Sequence, residues 1–178
     1  MFANPHENLE KFGLSAGSVV ADFGAGTGHY ATAAAKMVKG LEMEGKVYAI
    51  DVQKDLLDRL KNEAHKEKLD NIEVIWGNVE KVGGTKLKDA SVDVVISSNL
   101  FFQIEDKEGF AKEVSRILKS TGRLFFIEWS DSFGGIGPHK DAVVTESQAK
   151  SFFENNGFVV DRNVPVGSHH YGLVIRKK

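Results

Sequence analysis

Residues 22–28 read Asp22-Phe23-Gly24-Ala25-Gly26-Thr27-Gly28 and lie between an apolar run and an alanine-rich run. The apolar run, residues 18–23, is rich in valine and is bounded by glycine, which is typical of a buried strand. Residues 29–39 are rich in small side chains and precede Gly40, which indicates a helix. Glycines between a strand and a helix allow positive φ angles and let a ligand approach the backbone beside the free N–H groups of the helix. The segment therefore predicts a ligand-binding turn in an α/β fold.

The rest of the chain continues this alternation of strands and helices. Such alternation predicts a mostly parallel sheet that is covered by helices on both faces. Only nine residues separate the last two predicted strands, 158–160 and 170–176, which is too few for a crossover helix, so they should form an antiparallel hairpin. The other predicted strands span 47–51, 72–76, 92–96 and 124–128, and the other predicted helices span 53–66, 106–118 and 145–155.

Length and composition limit the classes of protein that fit. The chain has 178 residues, 42% of them hydrophobic and 27% charged, which favours one globular domain over residues 1–178. Within it we expect a short helix at 1–13 and a ligand-binding core at 14–178. A net charge of −2 gives no basic excess for nucleic acid or an anionic membrane, and the absence of cysteine excludes thiolate sites. No apolar run approaches a membrane span and no secretory signal is visible, so the expected location is cytoplasmic.

A second acidic residue makes the glycine turn more specific. Asp51 ends the second predicted strand, 23 positions after Gly28. Nucleotide-binding α/β folds place a carboxylate at about this spacing, because one carboxylate can accept hydrogen bonds from both vicinal hydroxyls of a ribose. The turn and Asp51 together predict a nucleoside site.

Four motifs together resemble class I S-adenosylmethionine-dependent methyltransferases, and most closely the small-molecule branch that includes the ubiquinone/menaquinone type. They are the glycine turn at 22–28, Ala49-Ile50-Asp51-Val52, Trp76-Gly77-Asn78-Val79-Glu80 and the run from Asp93 to Asn99. The likeness extends from about residue 14 to the C-terminus. It implies a Rossmann-like doubly wound sheet of seven strands in the order 3-2-1-4-5-7-6, with strand 7 antiparallel, and it implies a small-molecule methyl acceptor.

The resemblance also implies roles for individual residues in binding S-adenosylmethionine. It implies that the methionine part is held at the first strand, the ribose at Asp51 and the adenine at the loop after the third strand. Ser97 and Ser98 would lie near the methionine amine and the reactive methyl group. No metal is implied. The full predicted cofactor set is Asp22, Gly24, Ala25, Gly26, Gly28, Asp51, Val52, Gly77, Asn78, Val79, Ser97 and Ser98.

Two other functions are compatible with parts of the sequence. Residues 26–31 also fit the G-x-G-x-x-A pattern of nicotinamide-binding folds, but Asp22 would then face a pyrophosphate. A non-catalytic module that binds the cofactor is the second alternative.

The methyl acceptor is left open by the sequence. Residues 98–102 lack the proline motif of methyltransferases that act on DNA bases, and without a thiol an arsenic acceptor is not expected. Methyl transfer needs positioning more than acid–base chemistry. If a general base is used, Glu128 is the first candidate and His170 the second. The short N-terminal segment leaves room for a homodimer in which a second subunit completes the acceptor pocket.

Overall fold

Strands and helices alternate along the chain in the computed structural model, which describes residues 4–40, 44–133 and 136–178. The strands are β1 Val19–Phe23, β2 Lys46–Asp51, β3 Ile72–Trp76, β4 Val92–Ser98, β5 Leu118–Trp129, β6 Phe158–Val164 and β7 His170–Lys177. The helices are α1 Pro5–Phe12, α2 His29–Val38, α3 Lys54–Lys66, α4 Lys107–Ile117 and α5 Glu146–Asn155. Each predicted element is present.

The seven strands form one sheet in the order β3-β2-β1-β4-β5-β7-β6. Strands β1 to β5 pair in parallel, whereas β7 runs antiparallel to both β5 and β6. The predicted order and the predicted terminal hairpin are thereby confirmed. The order reverses between β1 and β4, and open α/β sheets bind ligands where the carboxyl ends of such neighbouring strands diverge.

Helices cover both faces of the sheet, and each face has its own hydrophobic core. One core contains α1, α2 and α3 residues packed on Val20, Val94 and Phe125. The other contains α4 and α5 residues packed on Val95 and Phe126. Successive strand residues point to opposite faces, so this division assigns the residues of each regularly paired stretch to one side of the sheet. We call the side of the first core the α2 face and the other side the α4 face.

Helix α1 is defined by signals at both of its ends. The Asn4 side chain accepts hydrogen bonds from the backbone N–H groups of His6 and Glu7, and Gly13 ends the helix with a φ of 85°. The Arg162 side chain on β6 donates to the last carbonyls of the helix. These contacts fix the C-terminal end of α1, and its apolar residues pack into the core of the α2 face.

Strand β5 is longer than the sequence predicts. It begins at Leu118, directly after α4, and not near Gly122. The first part pairs Leu118 with Val92 before the register shifts to Arg123 opposite Val94. A polar stretch at such an irregularity has no alternating pattern, which explains why this part of the strand escaped prediction.

Candidate nucleoside and methyl-transfer site

The glycine turn lies at the carboxyl end of β1 and adopts a conformation that needs glycine. Gly24, Gly26 and Gly28 have φ angles of 66°, 53° and 90°. A Cβ on Gly24 would lie 2.7 Å from a Leu100 methyl carbon, and one on Gly28 would lie 2.6 Å from Cγ of Leu60. The turn is therefore packed closely from both sides. Gly28 is the residue that caps the start of α2, and it lines neither of the two cavities described below.

Asp51 holds the turn from the neighbouring strand. One carboxylate oxygen accepts the N–H of Gly26 at 2.9 Å and the other accepts the N–H of Gln53 at 2.8 Å. The side chain is buried at the end of β2. Each oxygen keeps a further lone pair, so the carboxylate can receive two more donors.

A cavity of about 360 Å³ opens on the β2 side of the turn, and we call it the β2 cavity. The predicted nucleoside residues meet there, since the carboxyl ends of β2 and β3 are adjacent. Val52 contributes an exposed aliphatic surface. The residues of the predicted set that line this cavity are Gly24, Gly26, Asp51, Val52, Gly77, Asn78 and Val79.

The loop after β3 is braced by two side chains that line the β2 cavity. The Asn78 amide oxygen accepts the N–H of Glu80 at 2.8 Å. The Glu80 carboxylate in turn accepts the N–H groups of Glu105 and Asp106, at 3.1 and 2.7 Å, just before α4. Sequence reasoning did not single out Glu80, although its place two residues after Asn78 is a usable signal. Glu80 connects two walls of the cavity.

A second cavity of about 430 Å³ lies on the other side of the turn, and we call it the β7 cavity. Four strand-end side chains reach it from the α2 face, namely Asp22, Ser98, Trp129 and His170. Strand alternation explains why these four share a face. Each lies an even number of residues along its strand from a residue in the core of the α2 face. Gly24 and Gly26 line both cavities, so the two cavities meet at the turn.

Asp22 is the most perturbed acid in this region. Its side chain is 2% exposed, and its Oδ2 atom has no hydrogen-bond partner among the described residues. Burial raises the pKa of the carboxyl to about 8, against a smaller lowering by the Ala31 backbone N–H. A buried acid of this kind favours a cationic ligand, which would restore its ionised form.

Helix α1 reaches the β7 cavity through a pair of polar side chains that sequence reasoning missed. The buried Asn8 donates its amide to the hydroxyl of Tyr30 at 2.9 Å. Burial raises the pKa of the Tyr30 phenol, so it stays protonated at neutral pH. This contact joins residues 22 positions apart, and the sequence holds no local signal for it.

His170 and Asn99 add two further polar groups to the β7 cavity. His170 packs against Trp129 in a tilted arrangement, with ring centroids 4.2 Å apart and an angle of 37° between the ring planes. Burial lowers the pKa of its imidazole. Asn99 has a φ of 54°, a strained conformation for a non-glycine residue, directly after β4. Sequence reasoning did not include Asn99 in the site, although it follows a strand at its carboxyl end.

Two predicted site residues lie on the opposite face of the sheet. Ser97 is fully buried beside α4-face residues and lines neither cavity. Glu128 is also fully buried and accepts the N–H groups of Phe102 and Trp129 at 3.2 and 2.9 Å. Burial raises the pKa of Glu128 to about 7. The structure therefore makes Glu128 a residue that positions the segment after β4, and it brings His170 rather than Glu128 to the cavity.

The described residues lack the features of a metal site and of a membrane-spanning helix. Within residues 4–40, 44–133 and 136–178, no cluster of three or more His, Asp or Glu side chains has the arrangement of a metal site. His169, the neighbour of His170, pairs with Asp131 at 3.0 Å. In the same ranges no helix is both long and apolar enough to cross a membrane.

Comparison with known proteins identifies the family. A family model described as a methyltransferase domain matches residues 14–166. The crystal structure of a SAM-dependent methyltransferase from Aquifex aeolicus has a TM-score of 0.89 and 30% identity, covering 99% of this chain and 91% of that one.

Two curated relatives match over a shorter stretch. Human arsenite methyltransferase is 29% identical over 113 residues, which is 60% of this chain and 29% of its own length. The ubiquinone/menaquinone biosynthesis C-methyltransferase UbiE of Hahella chejuensis (strain KCTC 2396) is 29% identical over 123 residues, 68% of this chain and 47% of its own length. This chain thus spans less than half the length of these curated relatives. The resemblance that the motifs suggested is confirmed, and the chain belongs to the methyltransferase-domain family.

Proposed function

We propose that this chain is an S-adenosylmethionine-dependent methyltransferase that acts on a small-molecule acceptor. The observation that carries the proposal is the pair of cavities that meet at the glycine turn. One cavity contains the Asp51 carboxylate, and the other contains the Asp22 carboxylate, whose Oδ2 atom has no partner among the described residues. A ligand with a nucleoside at one end and a cationic amino acid at the other fits this arrangement. The family match supports methyl transfer as the reaction.

The β2 cavity has the groups that a nucleoside requires. The free lone pairs of Asp51 would accept both ribose hydroxyls, and Val52 would pack against the adenine ring. The Asn78 amide oxygen, which already accepts the N–H of Glu80, has a second lone pair for the adenine amine. The backbone of Val79, beside Asn78, lines the same wall and would face the adenine ring.

The β7 cavity would hold the amino-acid end. Asp22 would pair with the ammonium group, and the glycine backbone would surround the chain that leads to the sulfur. When bound, S-adenosylmethionine supplies a methyl group on a positively charged sulfur. The protein's contribution is to hold the acceptor in line with that bond and to exclude water.

The alternatives differ from this proposal in what they bind. A nicotinamide dinucleotide would place a pyrophosphate beside the buried Asp22, which would repel it. A non-catalytic module would bind the cofactor without turnover. Isothermal calorimetry with S-adenosylmethionine, S-adenosylhomocysteine and NAD⁺ distinguishes the proposal from the nicotinamide-binding alternative. Binding of NAD⁺ alone would refute the proposal. Release of S-adenosylhomocysteine in the presence of an acceptor distinguishes an enzyme from a non-catalytic module.

The acceptor is proposed to be small and not a nucleic acid. The net charge of −2 offers no electrostatic attraction for a polyanion. Gel shifts at low salt with tRNA and duplex DNA should show no salt-sensitive complex. Arsenite, on which the human relative acts according to its name, is not proposed as the acceptor because trivalent arsenic binds thiols and this chain has no cysteine.

The homodimer and the cytoplasmic location stay predictions. A second subunit over the β7 cavity would complete the acceptor pocket beside α1. Sedimentation at micromolar concentration tests the dimer, and fractionation of cells that express the protein tests the location.

A further inference from the structure

Three residues of the β7 cavity carry buried polar atoms that lack a hydrogen-bond partner in the part of the chain that the structure describes. They are Asp22 with Oδ2, Asn99 with Oδ1 and His170 with Nε2. The carboxylate and the amide oxygen accept hydrogen bonds, and Nε2 of a neutral imidazole accepts them in the tautomer that carries its proton on Nδ1. Buried acceptors without partners are costly and rare in folded proteins. The occupants of this cavity should therefore bring donors.

The proposed ammonium group does not account for all three acceptors. Its three N–H groups can serve Asp22 and Asn99, because β1 and β4 are neighbours. His170 lies on β7, three strands away from β1, which leaves it for a second molecule. His170 lies on β7 directly opposite Trp129 on β5, and the two rings, which pack together at a tilt, form one wall. The methyl acceptor must enter the same cavity to meet the sulfur. Its donor group is then expected at this wall.

The wall also limits the charge of the acceptor. Apart from Asp22, the side chains described around the cavity include no lysine, arginine, aspartate or glutamate. An anionic acceptor would lose its hydration on entering the cavity and would gain no ion pair with a lysine or arginine there. A cationic acceptor would compete with the ammonium group for Asp22. The aromatic rings of Tyr30 and Trp129 favour a flat, uncharged molecule.

We propose, on the basis of the methyl-transfer function above, that the acceptor is an uncharged planar ring compound bearing an O–H, N–H or S–H group, and that His170 accepts that proton. The bond between the cofactor sulfur and its methyl carbon breaks, and its electron pair stays on sulfur as a thioether. A lone pair of the acceptor heteroatom forms the new bond to the methyl carbon. The heteroatom's proton passes to Nε2 of His170 and later to water.

The surroundings of His170 suit this role. Burial and the neighbouring His169 keep the pKa of His170 below its ordinary value, while Asp131 acts weakly in the opposite direction. Asp22 from β1 and His29 and Tyr30 from α2 line the same cavity. Glu128 lies on the other face of the sheet and does not compete. His170 is therefore neutral at pH 7 and free to accept a proton.

The charge of the acceptor is tested with three phenols of matched shape. Methyl 4-hydroxybenzoate, 4-hydroxybenzoate and tyramine are neutral, anionic and cationic at pH 7, and calorimetry measures their binding to protein saturated with S-adenosylhomocysteine. We expect the neutral phenol to bind at least about tenfold more tightly than either charged one. Equal binding of all three, or none, would overturn the proposal. Binding of S-adenosylhomocysteine, measured first, shows separately whether the proposed function holds.

The proton transfer is tested with His170→Gln. For methyl 4-hydroxybenzoate, whose phenol is mostly un-ionised at pH 7, kcat at that pH should fall by roughly 10²–10⁴-fold, the usual contribution of a general base. For methyl 4-mercaptobenzoate, whose thiol ionises unaided, the fall should be less than about tenfold. His169→Gln is the matched control; because His169 helps to lower the pKa of His170, the variant should move the acid limb to higher pH and keep both rates above that limb. In the wild type, kcat/KM for the phenol should fall as pH drops through the pKa of His170, and His170→Gln should remove that limb. Equal losses for phenol and thiol, or undetectable methylation of the phenol, would refute His170 as the base.

Discussion

The raised pKa of Asp22 predicts that binding of the amino-acid end of the cofactor releases a proton. With a pKa of about 8, roughly one Asp22 in eleven is ionised at pH 7 in the free protein. An ammonium group beside the carboxylate stabilises the ionised form, so its pKa should fall well below 7 in the complex. Ionising the acid first costs about 1.4 kcal/mol at pH 7, which is about tenfold in affinity. Affinity should rise about tenfold from pH 6 to pH 7 and level off above pH 8.

Calorimetry of S-adenosylhomocysteine at pH 7 in phosphate and in Tris measures the released proton, because these buffers differ in ionisation enthalpy. The expected release is close to one proton per complex. 5′-Methylthioadenosine has the nucleoside but no ammonium group, so it should release none. Asp22→Asn should bind S-adenosylhomocysteine weakly and without proton release. Equal release by both ligands, or by the wild type and Asp22→Asn, would refute the pairing of Asp22 with the ammonium group.

Four further outcomes are expected. Asp22→Asn should raise the melting temperature of the unliganded protein at pH 8 but not at pH 4. The folded protein loses stability as the pH rises from the pKa of Asp22 in the unfolded chain towards its pKa of about 8 in the folded protein, and asparagine removes this loss. A lower melting temperature at pH 8 would contradict this. Asp51→Ala should weaken S-adenosylhomocysteine by roughly 1.5–3 kcal/mol in calorimetry, since it removes a charged acceptor, while unchanged affinity would remove Asp51 from the site. Asn78→Asp should strengthen the binding of S-adenosylhomocysteine by roughly 1 kcal/mol, because a carboxylate still accepts the backbone N–H of Glu80 and offers a charged second oxygen to the adenine amine. Weaker binding would argue against that contact. Gly28→Ala should cost about 1–3 kcal/mol more in urea unfolding than Gly83→Ala, since both have positive φ but only Gly28 is crowded, by Leu60; equal costs would exclude crowding as the cause.

The alternation of strands and helices and the terminal hairpin could be predicted from the sequence because their signals are local. The strand order itself was implied by the family resemblance, which the glycine turn, the Asp51 segment and two further motifs carry. Even the placement of Glu128 was open to prediction. Alternation along β5 puts Trp129 on one face and Glu128 on the other, and the same rule separates Ser98 from Ser97. What was lacking was the knowledge of which face holds the cavity.

The parts of the site that escaped prediction depend on tertiary contacts. The bond between Asn8 and Tyr30 joins two helices, and neither residue belongs to a motif. The backbone strain at Asn99 is set by the connection between β4 and the next turn, and no residue type marks it as strongly as glycine would. Such features arise when separate elements meet, so they become visible only in three dimensions.

The position of the glycine turn between two cavities makes the proposed cofactor a bivalent ligand. Adenosine and an amino acid, offered as separate molecules, would each fill one cavity and gain nothing from the other. Joined through one sulfur, the second contact forms at an effective concentration in the millimolar range or above, and overall affinity can exceed that of either half by 10²–10⁴-fold. That gain depends on the length of the connection across Gly24 and Gly26. An analogue whose two ends are intact but joined by a shorter chain would keep the contacts of each half and lose the avidity.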